Sequence, residues 1–248
     1  MKLKSICASM LCAATMFAGA AQAQSKKDSE NWHLYKKAVI NSAYTDSSKI
    51  CNELIPITCC NKSLIDTMIN GERYILTVSW KHSNYYCPKN LDTAQVLNTG
   101  PYDLWITVAP ELKNKVKGTA KKDIDLRLEQ MLGLPPDSGY YVSFFEFWVR
   151  PEDMYRPCPD NEISDKSCKL AFPANVSPEY VTWMNAQRIS RFFGGDPKAR
   201  YPWTELGYTY DWNPSNEKHF GCSEFVIKQN STIYQRHFYS TLEYIYGK

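Results

Sequence analysis

The segment from Tyr140 to Val149, which reads YYVSFFEFWV, is almost continuously aromatic and β-branched. Such side chains pack well on a pleated sheet, so the segment predicts a buried strand near the centre of a sheet. A buried strand requires a large apolar complement elsewhere in the chain. The 248 residues are 44% hydrophobic and 14% aromatic, a composition that excludes a disordered tail, a collagen-like fibre and a small disulfide-only scaffold.

Three helices are predicted from apolar spacing and capping residues. The first begins at Trp32 and ends near residues 44–48. The second covers residues 121–134, where a glycine and two prolines end it. The third runs from Ser177 to Phe193, with its first residue as the N-cap and a proline at the first helical position. Its buried face is expected to carry three apolar residues: Ala186, Ile189 and Phe193.

Further strands are predicted on both sides of the second and third helices. Apolar and polar residues alternate in Glu72–Lys81, and Leu104–Val108 is a short, mostly apolar run. Both patterns are typical of strands. Three later runs, residues 203–212, 221–228 and 231–239, are expected to form an antiparallel meander. Helices inserted among antiparallel strands define the α+β class, so we expect an antiparallel sheet with helices packed on it.

The first 23 residues have the pattern of a secretory signal peptide. A positive start, residues 1–4, precedes the small and apolar residues 5–20, and Ala21-Gln22-Ala23 forms an A-x-A cleavage site. We therefore expect a signal peptide over 1–23, a polar, flexible leader over 24–30 and one globular domain over 31–248. The start of the chain and its simple cleavage site are typical of a bacterial protein. No later run is long and apolar enough to span a bilayer, so we expect the protein to be periplasmic or secreted.

The cysteines agree with export. Seven remain after residue 23, and an oxidising compartment favours disulfides, with at least one thiol left free or paired between chains. Spacing supports one local pair, Cys158 with Cys168. The adjacent Cys59 and Cys60 would take different partners, of which Cys51 and Cys87 are the nearest in sequence. A zinc site is the alternative for this cluster, but no C-x-x-C pair is present, so we expect neither a metal nor a cofactor.

Two strand glutamates are candidate catalytic residues. Glu146 lies in the aromatic strand and Glu224 lies in the strand-like segment GCSEFVI. Carboxyl groups among apolar neighbours acquire a raised pKa unless they are paired, which suits an acid and base pair for hydrolysis. The structural alternative places Glu146 on a solvent face or in an ion pair with Arg150. A nucleophile could instead come from Cys222, with one of two histidines as its base: His219 or His237.

Two other segments are candidate ligand sites. The proline-rich loop after the aromatic strand holds Arg156 and Asp160, which could bind an anion or a hydroxyl-rich ligand, although the two could also bond each other or the backbone. Residues 201–214 contain five aromatic side chains that could stack on a ligand or fill a core. Four of them form the candidate stacking face: Trp203, Tyr208, Tyr210 and Trp212. The two tryptophans, at the strand ends, are expected to be the more exposed.

Four segments carry a resemblance to a known group. They are DIDLRLEQMLGLPP, FWVRPEDMYRPCPDNEI, YPWTELGYTYDWNP and GCSEFVI. Together they resemble a family of uncharacterised bacterial secreted proteins over roughly residues 72–230. The resemblance implies an exported, single-domain protein and transfers no activity or catalytic residue.

These features support three alternative functions. The leading hypothesis is a hydrolase or group-transfer enzyme, with Glu146 or Glu224 as acid or base and Arg156 as an anion clamp. The second is a non-catalytic envelope or surface module that binds a small molecule, glycan or peptide on its aromatic face. The third is a secreted toxin. The formal charge of +3 is too balanced for a nucleic-acid binder, and phosphate-binding, serine-hydrolase and zincin motifs are absent from the sequence.

Overall fold

The aromatic segment lies at the centre of a large antiparallel sheet, as predicted. The structure is a computed structural model that describes residues 25–82, 95–136, 139–196 and 199–247. Strand β5 (Tyr141–Val149) is hydrogen-bonded on one side to β2 (Glu72–His82) and on the other to β10 (Thr232–Ser240). The expected signal peptide and Cys87 lie outside the described residues.

Five shorter strands extend this sheet. They are β1 (Asp66–Ile69), β3 (Val96–Asn98), β4 (Leu104–Val108), β6 (Met154–Tyr155) and β9 (Phe225–Ile227). The strand order is β3-β10-β5-β2-β4-β9-β6, and β1 pairs with the beginning of β2. The two strands predicted between residues 72 and 108 are confirmed.

A separate two-stranded ribbon consists of β7 (Tyr208–Tyr210) and β8 (Phe220–Ser223). The first pairing of the predicted meander is therefore confirmed, but the continuation to a third strand is wrong. The strand partner changes at Glu224, whose backbone N–H donates to the carbonyl of Gly207. Before this residue β8 pairs with β7, and after it β9 pairs with β4 in the large sheet. All three side chains of β9 are buried, which accounts for its position inside the sheet rather than in a hairpin with β10.

The described residues form five α-helices. They are α1 (25–42), α2 (Glu111–Lys115), α3 (Ile124–Met131), α4 (Pro178–Phe193) and α5 (Thr241–Tyr246). The three predicted helices are present, and α1 includes residues 25–30 of the expected leader, which are exposed. Among the described residues, no helix has the length and apolar character needed to cross a membrane.

Helix α4 has the predicted N-cap but a different buried face. The hydroxyl of Ser177 accepts a hydrogen bond from the N–H of Tyr180, as predicted. Met184 and Phe192 are buried, whereas Ile189 and Phe193 are 64% and 74% exposed, so the predicted apolar face is wrong. The reason is that α4 packs against Trp203 through the face that carries Met184 and Phe192. The spacing of apolar residues in the sequence did not distinguish this face from the one that carries Ile189 and Phe193.

Hydrophobic residues cover both faces of the large sheet. On one face, Phe145 and Phe147 of β5 pack with Ile75 and Ile106 and with two side chains of β9, Phe225 and Ile227. On the other, Phe144 packs with Val78 and Trp80 beneath helices α2, α3 and α5. The structure is therefore an α+β fold with helices packed on an antiparallel sheet, as predicted.

The predicted disulfide between Cys158 and Cys168 is present. Four other described cysteines carry free thiols: Cys51, Cys59, Cys60 and Cys222. The expected disulfide between Cys51 and either Cys59 or Cys60 is therefore absent. Cys51 is buried, whereas Cys59 and Cys60 are exposed. Burial also raises the pKa of the Cys222 thiol well above its usual range, which opposes its use as a nucleophile.

Candidate functional site

A cavity forms where two strands of the sheet separate. Strands β2 and β4 pair at Thr77 with Val108 and at Val78 with Thr107, and in the described structure they share no later pair. Beyond these pairs lies a cavity of about 300 Å³, bounded by residues 78–81 of β2 and 103–107 of β4. Residues 201–203 and 208–210 complete much of its wall. The cavity is of the size that holds a small ligand.

Glu224 provides the cavity with an unusual carboxyl group. Its Oε2 is buried and has no hydrogen-bond partner within the described part of the chain. Burial raises the pKa of Glu224 to about 8, although the guanidinium of Arg191 lowers it. The carboxyl group is therefore mostly protonated at neutral pH, so it can donate a proton to a bound molecule.

The backbone holds Glu224 from behind. The N–H of Glu224 donates to the carbonyl of Gly207 at 2.9 Å. Gly207 has a φ of +72°, and a Cβ there would lie 2.5 Å from Cδ of Arg156 and 2.7 Å from Sγ of Cys168. Only glycine combines this left-handed conformation with such close packing, so the disulfide loop supports the position of Glu224.

Aromatic rings and a guanidinium surround the same cavity. Cζ of Arg191 lies 5.0 Å from the ring centre of Trp105 and 5.1 Å from that of Tyr201, within the range of cation–π interactions. Trp105 and Trp203 are edge-to-face with ring centres 6.0 Å apart. The Nε1 atom of Trp203 is buried without a hydrogen-bond partner among the described residues. The wall thus offers ring surfaces together with an unused N–H donor.

Lys81 is the second basic residue of the cavity wall. Burial lowers the pKa of its amine to about 8. Its side chain makes no hydrogen bond or ion pair with any residue in the described ranges. A buried amine without a counter-ion is costly and is commonly found at functional sites.

Asp103 is the second acidic residue of the described cavity wall. Its Oδ2 accepts a 2.6 Å hydrogen bond from Nε1 of Trp183. In the register of β4 and β9, Glu224 is level with Thr107, four residues from Asp103. Four residues of strand span about 13 Å, so the backbones of Asp103 and Glu224 are roughly that far apart along the strand direction.

The structure does not bring Glu146 and Glu224 together. Glu146 does not line the cavity, and its Oε2 accepts a 2.8 Å hydrogen bond from Nη1 of Arg236 on β10. Strands β2 and β4 lie between β5 and β9, so the backbones of the two glutamates are roughly 14 Å apart at ordinary strand spacing. An acid and base pair for glycoside hydrolysis requires about 5–9.5 Å between carboxyl groups.

Glu146 is nevertheless buried, as its aromatic neighbours indicated. It is 5% exposed, and burial raises its pKa while Arg236 lowers it. The alternative ion pair with Arg150 is absent among the described contacts of Arg150, which bonds Asp153 and Glu72 instead. Glu146 is thus a paired carboxyl group, whereas Glu224 is not.

Arg156 and Asp160 are buried rather than open to a ligand. Arg156 is 0% exposed, and its Nη2 donates to three backbone carbonyls, those of Ile55, Ile163 and Asp165. Asp160 accepts from the N–H of Lys169 through Oδ1. These contacts agree with the structural alternative, in which the loop bonds its own backbone.

The candidate aromatic face is also buried. Trp203, Tyr208, Tyr210 and Trp212 are all 5% exposed or less, so the expectation that the two tryptophans are exposed is wrong. Trp203, Tyr208 and Tyr210 line the cavity, whereas Trp212 packs against α1 and donates to the carbonyls of Glu129 and Leu134. Three of the four predicted aromatics thus line the cavity instead of forming an exposed face.

Three residues of the cavity wall were not predicted from the sequence: Lys81, Arg191 and Trp105. Arg191 is seven residues after the buried Met184, which is two helical turns, so the correct buried face of α4 would have included it. Lys81 lies at the end of a strand whose preceding residues are mostly buried, an unusual position for a lysine. Trp105 lies inside a predicted strand, and nothing in its sequence context separates it from a core residue.

A group with metal-ligating atoms lies outside the cavity. Within the described ranges, Cys158, Asp160 and Cys168 have ligand atoms within 4.8 Å of one another. The two sulfurs are bonded to each other, so they are not available as thiolate ligands.

These observations define an α+β protein with a small cavity whose wall includes a carboxyl group with a raised pKa, two basic side chains and aromatic rings. Comparisons with known protein families, with curated proteins and with solved structures give no match. The functional argument therefore depends on the cavity itself.

Proposed function

We propose that this protein is a hydrolase or group-transfer enzyme that acts on a small, ring-bearing substrate, with Glu224 as its proton donor. The observation that carries this proposal is the carboxyl group of Glu224, which is buried at the cavity, has an unpartnered Oε2 and has a pKa of about 8. Such a group is mostly protonated at neutral pH and has an unused hydrogen-bonding position.

The proposed reaction uses the neutral acid first. Glu224 gives its proton to the leaving oxygen or nitrogen as the bond to that atom breaks. Water or another acceptor adds to the remaining fragment, and its proton returns to the Glu224 carboxylate. Arg191 lowers the pKa of Glu224, so its charge stabilises the carboxylate that exists between these steps.

A panel of chromogenic 4-nitrophenyl esters, phosphates and glycosides tests this function. We expect the wild type to turn over one class and Glu224→Gln to lower kcat by about 10²–10⁴-fold, the usual contribution of a general acid. Glu146→Gln is the matched control because Glu146 lies outside the cavity, and it should retain turnover. A folded Glu224→Gln protein with unchanged kcat would contradict the proposal.

A binding role without turnover is the second candidate. The backbones of Asp103 and Glu224 are separated by about 13 Å along the strand direction, and Asp103 already accepts a hydrogen bond from Trp183, so it is not positioned as an evident partner base for Glu224. Aromatic walls and unpaired polar groups suffice to bind a ligand. If the wild type turns over none of the three substrate classes, this role would be favoured over catalysis.

We also propose that the protein is exported and matures after removal of residues 1–23. The Cys158–Cys168 disulfide supports this proposal, because such bonds persist mainly in oxidising compartments. Intact-mass measurement of protein purified from its native host tests it. The expected mass corresponds to a chain beginning at Gln24 and bearing a disulfide, whereas retention of the leader would contradict export by this route.

A further inference from the structure

The charges on the cavity wall do not balance. Apart from tyrosines, four acidic or basic side chains contribute to the wall: Lys81, Asp103, Arg191 and Glu224. Near pH 7 the two basic groups are mostly cationic, Asp103 contributes one negative charge, and Glu224 is mostly neutral. The cavity therefore carries an excess of about one positive charge.

The two cations are available to a ligand. Neither Lys81 nor Arg191 makes a side-chain hydrogen bond or ion pair with residues in the described part of the chain. Asp103 already accepts a hydrogen bond from Trp183, and it directly precedes the first residue of β4. Because burying unpaired cations is costly, an anion that enters the cavity gains charge-assisted hydrogen bonds without displacing existing ones.

The aromatic wall adds a second requirement. The rings of Trp105 and Trp203 meet edge to face, and Arg191 lies over the ring of Trp105. A flat or cyclic group can pack on these rings while its charged group reaches a basic side chain. A cavity of about 300 Å³ has room for one ring and one small acidic group.

We infer that the substrate or ligand of this cavity is a small ring-bearing anion whose acidic group is held by Lys81, with Arg191 as a further cation. This inference rests on the proposed function, because it names the class of molecule that the same cavity takes. Carboxylate and phosphate share the required chemistry, and the experiment separates them.

Calorimetric titration with three small probes tests the inference. Benzoate and phenyl phosphate carry a ring and an anion, whereas benzyl alcohol carries the ring alone. We expect the wild type to bind at least one anion roughly ten-fold or more tightly than benzyl alcohol, since a charge-assisted hydrogen bond has about this effect. The stronger of the two anions identifies the preferred acidic group.

Charge removal locates the binding group. Lys81→Met should weaken binding of the preferred anion by about ten-fold and leave benzyl alcohol binding unchanged. Lys117→Met is the matched control, because Lys117 is exposed and outside the cavity wall. Equal affinity of the wild type for all three probes, or no detectable binding of either anion, overturns the inference without relying on any variant.

The same titrations keep this inference separate from the catalytic proposal. Glu224→Gln should bind the preferred anion within about three-fold of the wild type, because the carboxyl group is already mostly neutral. Unchanged anion binding in a folded Lys81→Met protein would overturn the ligand inference even if Glu224→Gln abolishes turnover. Unchanged turnover in Glu224→Gln would contradict the catalytic proposal even if the anion binds through Lys81.

Discussion

Two glutamates, one in the large sheet and one at its margin, have different surroundings. Glu146, on β5, is bonded to Arg236 of the neighbouring strand. Glu224, before β9, faces a cavity and has an oxygen without a hydrogen-bond partner among the described residues. Burial raises the pKa of both groups, but Arg236 bonds Glu146 directly, whereas Arg191 acts on Glu224 without a hydrogen bond. The comparison shows that a buried carboxyl group marks a site when it lacks a partner and adjoins open space.

The largest expected effect is the pH dependence of stability caused by Glu224. Its pKa is about 8 in the folded protein and near 4.5 in the unfolded chain, so its contribution is full below about pH 4.5 and is lost as pH rises to about 8. That shift corresponds to about 5 kcal/mol. Urea unfolding should therefore show that Glu224→Gln stabilises the protein relative to wild type at about pH 8 and much less at about pH 4.5.

Glu146→Gln is the control for that measurement. Arg236 offsets part of the burial of Glu146, so this substitution should remove a smaller share of the pH dependence. Equal effects of the two substitutions would remove the distinction between the two glutamates.

Gly207→Ala should have the next largest effect on the free energy of unfolding. Gly207 accepts the backbone hydrogen bond of Glu224 and has no such contact with Glu146. The added Cβ would lie 2.5 Å from Cδ of Arg156 in a left-handed backbone conformation. Backbone strain and overpacking predict a loss of roughly 2–4 kcal/mol in the free energy of unfolding, measured by urea denaturation. Gly195→Ala is the control, because no atom lies within 4 Å of its Cβ position. Similar losses for both variants would contradict the support assigned to Gly207.

Arg236→Met should make Glu146 resemble Glu224. Loss of the 2.8 Å hydrogen bond raises the pKa of Glu146 further and costs roughly 1–2 kcal/mol near pH 8, an amount reduced because Arg236 is partly exposed. Carbon-13 NMR titration measures the pKa and urea denaturation the stability. Arg150→Met, the control for the partner that the sequence suggested, should leave the pKa of Glu146 unchanged.

Ser177→Ala should have the smallest effect. The Ser177 hydroxyl caps α4 by accepting from the N–H of Tyr180 at 3.2 Å, and α4 carries Arg191. Loss of an N-cap predicts about 0.5–1 kcal/mol of destabilisation by thermal or urea unfolding. Ser190→Ala, in the exposed interior of the same helix, should not destabilise the protein. Equal destabilisation by both would indicate that the cap is not the cause.

Much of the fold follows from local sequence. The aromatic composition of β5, the Ser177 cap and the short Cys158–Cys168 spacing each act over a few residues, and each prediction is confirmed. The continuation of the meander to a third strand failed because strand pairing depends on distant partners. β9 pairs with β4 more than 100 residues earlier in the chain, and no local pattern specifies that choice.

The candidate site was only partly predictable for the same reason. Glu224 was recognisable as a carboxyl group among apolar residues, but burial alone also selected Glu146. The cavity exists because β2 and β4 separate after Val78, and this separation brings Lys81 close to residues from α4 and from the 201–210 segment. Arg156 was misleading because a rigid, charged loop can stabilise a fold through its own backbone contacts as readily as it can bind a ligand.

The protonation state of Glu224 tests the account most directly. Carbon-13 NMR of the glutamate side-chain carboxyl groups, with Glu224→Gln used to assign the resonance, gives its pKa in the folded wild type. We expect a midpoint at about 8. A midpoint near 4.5, the ordinary value for glutamic acid, would show that Glu224 is ionised at neutral pH and is not the proton donor of this cavity.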